Sequence, residues 1–330
     1  MTSISVSPSN KGCMKTSGLD DTRPLQQSAA PNVLKRREWL RRTLLGIATM
    51  GGLTACNTVP SSSQLWDQRL RGDTVALLGE VHDNAPLHTR RFRGLQAAIQ
   101  AGWRPAVVME QFDTNQQSAV DAARRERPRD VAHLIAHASP RSSSGAQAWD
   151  WPLYIPLIEL ALLHNLPLRA ANLPRNQARR LVRGGWAEVF SAEQQDALGL
   201  SGAVPAALQA AQEREVDHGH CGALPSPVLP GMARAQMARD AVMAAVLREA
   251  LQTRPGQGAV LIAGNGHVRR DLGVPQWLAA LPAQQLWVVG FVEAAPIPGI
   301  YDHVVQSEVA ARSDPCADFK PSSATQNSVP

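Results

Sequence analysis

Five short apolar runs punctuate the chain, at residues 74–78, 106–109, 168–171, 259–263 and 286–291. Four are continuous rather than alternating, the pattern of strands buried on both faces of a parallel sheet. Segments with helical periodicity separate them. Residues 87–101 carry apolar side chains along one face and stop at Gly102. Residues 151–164 have Pro152 at an early helical position, where a missing N–H costs little. Residues 232–251 are rich in Ala and Met, with Arg, Glu and Asp toward the outer face. Strand and helix alternate, so the expected fold class is α/β, a mainly parallel sheet flanked by helices. The stretches 113–148 and 176–230 are polar, rich in Arg and Gln, and mostly helical in pattern. They read as insertions that pack as a small helical lid subdomain. No repeat of fixed period is present.

The N-terminal region follows another logic. A basic stretch with Lys35, Arg36, Arg37, Arg41 and Arg42 precedes the uncharged, mildly apolar residues 43–53. That run is too short to cross a ~30 Å hydrocarbon core, which takes roughly 20 helical residues. A basic region, a short apolar region and small residues at a processing site describe a secretory signal. Leu53-Thr54-Ala55-Cys56 has the form of a lipobox, in which Cys56 is acylated and becomes the first residue of the mature chain. Arg36-Arg37, followed by Trp39 and Leu40, has the look of a twin-arginine signal. The expected organisation is a signal over 1–55, a tether over 56–64, a folded domain over 65–316 and a disordered tail over 317–330. Met1 and Met14 both remain as starts. The expected location is the cell envelope, with a lipid anchor on Cys56. Asn57, rather than an Asp, after that cysteine favours the outer membrane facing the periplasm.

Removing residues 1–55 changes the charge. They hold eight basic and three acidic side chains, leaving 25 of each sign from the chain's 33 basic and 28 acidic residues. The basic excess belongs to the signal and is no argument for nucleic acid. Lys320 is the single lysine after Cys56, so any basic patch is built from arginine. With Cys56 lipidated, an oxidising compartment leaves Cys221 and Cys316 as a natural disulfide pair; two free thiols are the alternative.

Ligands of open parallel sheets bind beyond the carboxyl ends of the strands. Four of the five expected strand ends carry unusual polar residues: Gly79-Glu80-Val81-His82-Asp83-Asn84, Glu110-Gln111-Phe112, Asn172-Leu173-Pro174-Arg175 and Gly264-Asn265-Gly266-His267. Glu80 and His82 are two apart and face one side if strand geometry continues. Two imidazoles and two carboxylates, from Glu80, His82, Glu110 and His267, suit a divalent metal or acid–base pairs. Elsewhere the polar features are weaker. His133 and His137 have the i, i+4 spacing of a metal pair on a helix, but no acidic partner fits nearby and they read as a solvated face. His218-Gly219-His220-Cys221 reads as a loop that places Cys221. No phosphate loop, nucleophile elbow or CxxC is present.

Gly79 to Asn84 with His88, followed by Met109-Glu110-Gln111-Phe112, resembles the opening of the ChaN-like haem-binding lipoproteins. Trp149-Asp150-Trp151-Pro152-Leu153-Tyr154 and Ala171-Asn172-Leu173-Pro174-Arg175 are similar to the middle of that family. So are residues 235–244 and Gly264-Asn265-Gly266-His267-Val268-Arg269. The likeness runs from about Leu65 to about Cys316. It extends to a wider group that includes the Tiki and TraB proteins and the erythromycin esterases. The resemblance implies haem binding outside the cytoplasm and a part in iron acquisition.

Haem iron accepts His, Tyr, Cys or Met. Tyr154 is a candidate axial ligand, with His82, His88 and His267 as rivals. Arg175, Arg239 and Arg269 suit the propionates. The expected partners are haem, the membrane, a second copy that would help cover a flat porphyrin, and an outer-membrane haem receptor. A binding protein is the preferred reading. A metal-dependent hydrolase using Glu80, His82, Glu110 and His267 is the alternative.

Overall fold

The structure is a computed structural model that describes residues 66, 68–139, 149–314 and 316–317. The expected signal, Cys56, the tether and the tail from 318 onward lie outside these residues.

Each apolar run is a strand. β1 (Val75–Leu78), β2 (Ala106–Asp113), β3 (Leu168–Asn172), β4 (Ala259–Ile262) and β5 (Leu286–Val292) share one sheet with β6 (His303–Gln306). The order is β3-β2-β4-β1-β5-β6, and every neighbouring pair is parallel. All carboxyl ends therefore meet at one edge. β6 was not expected, because a four-residue, half-exposed edge strand carries no continuous buried run. β2 outlasts its apolar run by four residues, through Glu110 and Gln111, and its register against β3 shifts between Met109 and Asp113.

Successive residues of the central strands point to opposite faces. Ala76, Leu78, Val107, Met109, Val260 and Ile262 pack on α1 (Ala85–Gln100) and α4 (Ile155–Leu163). Val75, Leu77, Val108 and Leu261 pack on Met243 and Leu247 of α8 (Leu229–Thr253). Each of these Val, Leu, Ile and Met side chains contributes about 1.5–3 kcal/mol when fully buried. α1 starts where Asn84 accepts the Leu87 N–H at 3.0 Å, with a proline in the first turn. The helix expected over 151–164 is broken into a single 3-10 turn, Trp151–Leu153, and α4. Pro156 explains the break: it has no N–H to continue the first turn into a second, but it fits the opening of a new helix.

The two polar stretches are helical as patterned. The first holds α2 (Gln117–Glu126) and α3 (Val131–Ala138), whose Val120, Ala123, Leu134 and Ala138 join the α1-side core. The second holds α5 (Arg175–Gly184), α6 (Ala192–Leu198) and α7 (Ala206–Gly219). Leu181, Phe190 and Leu200 from this region, with Leu173 just after β3, form a separate cluster with Ala238 and Val242 of α8. Just past α7, Cys221 is joined to Cys316 by a disulfide with a Cα–Cα distance of 5.6 Å. Among the described residues no helix is long and apolar enough to cross a membrane.

The site edge is set by topology. After β1 the chain turns to the α1 face. After β4 it enters a short helix, α9 (Asn265–Val268), whose Val268 packs on the α8 face. β1 and β4 are neighbours, so the loops part between them, which is where open sheets leave a crevice.

Candidate functional site

Glu80, at the end of β1, is the hub. It is 3 % exposed. Its Oε1 accepts bonds from His82 Nδ1 at 2.8 Å, Gln111 Nε2 at 3.1 Å and the Tyr154 hydroxyl at 2.6 Å. Its Oε2 is paired with the Arg91 guanidinium. A bare buried carboxylate would be costly, yet four donors converge on this one. Burial alone would raise its pKa, but the charge of Arg91 and the bond from His82 outweigh it, so the carboxyl is held well below its ordinary range.

His82 is the exposed member, with 49 % of its side chain accessible. Its Nδ1 is committed to Glu80. Its Nε2 lies where a Cβ on Gly264 would come within 3.1 Å. Trp149 meets the ring edge-on at 5.0 Å. Desolvation lowers the pKa of this ring, but the bond to Glu80 and the charge of Glu110 outweigh it and raise it. His88 is the opposite case. Its Nδ1 accepts from Arg91 at 3.0 Å and its Nε2 donates to the His82 carbonyl at 3.2 Å. Burial and the adjacent Arg91 push its pKa down to about 4, so the ring is neutral.

The second half of the site belongs to β2, α8 and α9. Glu110 Oε2 accepts the Gly264 N–H at 2.7 Å, and its Oε1 stands 3.5 Å from His267 Nε2. His267 Nδ1 is 2.6 Å from Asp240 Oδ1, and Gln236 Nε2 lies 3.2 Å from His267 Nε2. Burial opposes a charged His267, but Glu110 and Asp240 outweigh it and raise its pKa to about 10. Burial raises Asp240 to about 6 despite the facing His267. Glu110 is lowered: His267 outweighs its burial. The two carboxylates therefore favour the charged form of the imidazole between them. Consecutive residues of β2 thus serve both halves, Glu110 toward His267 and Gln111 toward Glu80, over the stretch where the register shifts.

Sequence reasoning singled out Glu80, His82, His88, Glu110, Tyr154 and His267, and the fold gathers all six at one edge. It does not make one metal cage of Glu80, His82, Glu110 and His267. Among the described residues they form no group of three ligand atoms within 4.8 Å of one another. The reason is that Glu80 is saturated by its own donors and His267 is locked to Asp240. Tyr154 is fully buried, and burial with the negative charge of Glu80 raises its pKa well above the ordinary tyrosine range. Arg175 is exposed at the start of α5. Arg239 is bonded to Asn172 at the end of β3. Arg269 is tied to Glu215 and Asp271 on α7 and the loop after α9.

Arg91, Asp240 and Gln236 were missed. A signal existed for the first two: Arg91 shares the apolar stripe of Leu87, Leu95 and Ala98, and Asp240 that of Met237, Ala241 and Ala244. Polar residues at such positions announce a buried partner. His303 was missed with β6. It lines a cavity of about 600 Å³ with Trp66, Arg90, Arg93 and Phe291, away from the strand-end cluster. The convergent charged groups and shifted pKa values lie at the strand ends, which we take as the functional site.

Among the described residues, two buried polar atoms there, Gln111 Oε1 and Asp240 Oδ2, have no hydrogen-bond partner.

Known proteins supply the rest. A comparison with curated proteins gives no match. Among solved structures, ChaN of Campylobacter jejuni, described with cofacial haem binding, superposes with a TM-score of 0.57. It is 18 % identical, covering 74 % of this chain and 91 % of that one, a likeness that shows the fold. An erythromycin esterase mutant in its open conformation is also found, at 14 % identity and a TM-score of 0.41, covering 69 % of this chain and 72 % of that one. The model of the ChaN family of haem-binding uptake proteins, in the Tiki superfamily, matches residues 66–278. With that match over most of the folded region, and the strand-end Glu and His residues inside it, the chain belongs to the ChaN-like haem-binding uptake family.

Proposed function

We propose that this protein binds haem at the strand-end site and serves haem uptake from an anchored position in the cell envelope. The observation that carries this reading is the presentation of His82: its Nδ1 is held by a buried carboxylate while 49 % of its side chain stays accessible. A histidine that ligates a metal ordinarily gives its other ring nitrogen to a carboxylate in this way, which fixes tautomer and orientation. Gly264 keeps the Nε2 side open, because a side chain there would crowd the ring. When bound, haem would supply an iron that accepts an imidazole ligand. Glu80 orients His82, Arg91 and Tyr154 hold Glu80, and Trp149 borders the ring as an apolar wall. Arg175 is exposed at the β3 end and Arg239 lies beside it, both suited to propionates. Tyr154, whose hydroxyl is spent on Glu80, is a support in this arrangement rather than the ligand.

The envelope location rests on the signal-like residues 1–55 and the lipobox at Cys56. The Cys221–Cys316 disulfide supports it, because such bonds persist in oxidising compartments. A homodimer and an outer-membrane haem receptor are the partners that suit this role. Labelled acyl chain attaching to the wild type and not to Cys56→Ser is the expected result; equal labelling would undo the anchor.

The test of haem binding is a titration of the purified protein with haemin, following the Soret band, with metal content assayed on the same sample. The Soret shift is expected in the wild type and lost in His82→Ala. Stoichiometric zinc or manganese with no Soret change would sink the reading. Loss of that metal in Glu80→Gln or His267→Ala would favour a metal-dependent hydrolase, for which the Asp240–His267–Glu110 chain offers a held proton.

A further inference from the structure

α2 and α3 form a hairpin after β2, and it gathers three metal-ligating side chains that the strand-end site does not use. His133 and His137 lie one turn apart on α3, and Glu126 closes α2. His133 Nε2 stands 3.0 Å from Glu126 Oε2. The two imidazole centroids are 3.9 Å apart, with the rings tilted by 44°. One ligand atom from each of the three residues lies within 4.8 Å of the others. We propose that Glu126, His133 and His137 form a surface site for one divalent transition-metal ion, bound through two imidazole nitrogens and one carboxylate oxygen.

The surrounding bonds prepare these side chains for that role. His137 Nδ1 lies 3.0 Å from the His133 carbonyl oxygen, to which it donates. Its Nε2 then carries the lone pair, the tautomer a metal needs. Asp130 caps α3 by accepting the His133 N–H at 2.8 Å, which fixes the turn that carries the first imidazole. The His133 side chain is 9 % exposed and that of Glu126 58 %, so one ligand is held and the other can adjust. Along the sequence no acid suited the His133–His137 pair. The fold corrects this, because the turn between α2 and α3 brings back a glutamate from seven residues earlier.

The donor set selects the ion. Magnesium and calcium favour oxygen ligands, whereas two imidazoles and a carboxylate suit zinc, cobalt, nickel or copper. Three protein ligands leave at least one coordination position for water. The metal takes the place of the ring proton between His133 Nε2 and Glu126, so affinity falls on acidification. Bound there, it ties α2 to α3, two helices whose inner faces line the main core.

The test is a titration of the full-length protein with zinc alone against a competing chelator, together with the visible absorption of the cobalt(II) form. One zinc per chain and cobalt ligand-field bands are expected. His137→Ala and Glu126→Gln should each weaken zinc by about tenfold or more. His133→Ala with His137→Ala should abolish the site and leave the haemin titration unchanged. His137 and Glu126 are exposed, so their variants report on binding without loss of fold, checked by circular dichroism. Zinc held equally by the wild type and the double variant would place the ion elsewhere and overturn the proposal. Failure of the wild type to bind zinc at micromolar concentrations would also overturn it. Neither result depends on whether haem binds.

Discussion

The hydroxyl of Tyr154 donates a 2.6 Å hydrogen bond to Glu80 Oε1 from 74 residues away. Tyr154→Phe removes one of four donors to a buried carboxylate, which costs about 1–3 kcal/mol. The variant should melt at a lower temperature and still give the Soret shift with haemin. Loss of the shift with unchanged melting would return Tyr154 to the role of iron ligand.

Arg91 carries the charge that balances Glu80. Arg91→Met leaves an ionised carboxylate buried, and breaking such a pair typically costs about 3–5 kcal/mol. Neutralising its partner in Arg91→Met/Glu80→Gln should recover much of that loss. Denaturant unfolding of both variants is the measurement; additive losses in the double variant would deny the coupling.

Gly264 separates binding from stability. Its φ of −54° is open to any residue, so Gly264→Ala carries no backbone strain, but its Cβ would press within 3.1 Å of His82 Nε2. We expect near-native melting with weakened haem binding, read as a higher dissociation constant in the haemin titration. Unaltered affinity would show that the ligand does not approach His82 from this side.

Stability should fall on both sides of neutrality. His267 is raised to about 10 in the fold, above its unfolded value of about 6.5. Its contribution is full below the unfolded value and is lost as pH rises through about 10. His88 is lowered to about 4, so acidification through the imidazole range down to that value favours the unfolded chain, which binds the proton more readily. Melting followed across pH should show both limbs. His267→Gln should be less stable at neutrality and flatten the alkaline limb, and His88→Gln should flatten the acid one.

The sheet and one edge of its site were legible because their signals are local. Buried parallel strands are continuous apolar runs, and the polar residues just after them stand out. What escaped depends on distant pairing. Glu80 and His82 could be placed by pleat alone, but nothing near Asp240 says that it meets His267. Glu126 became a partner for His133 only through a turn between helices. β6 escaped because a short edge strand, half-exposed, has no composition of its own. Pro156 sits inside the helical periodicity of residues 151–164, a pattern that carries no mark of the break the proline makes.

The sheet order also governs when the molecule can form. β4 lies between β1 and β2, yet it arrives about 150 residues after β2 along the chain. The first three strands therefore cannot close into a native sheet as they emerge, because a place must be kept for one still to come. Pairings this remote in sequence make folding slow. A fragment ending before Ala259 would hold Glu80 and Glu110 on two separate pieces of sheet, with His267 missing. The site is thus among the last things the chain completes, and a truncated product carries its pieces without the pocket.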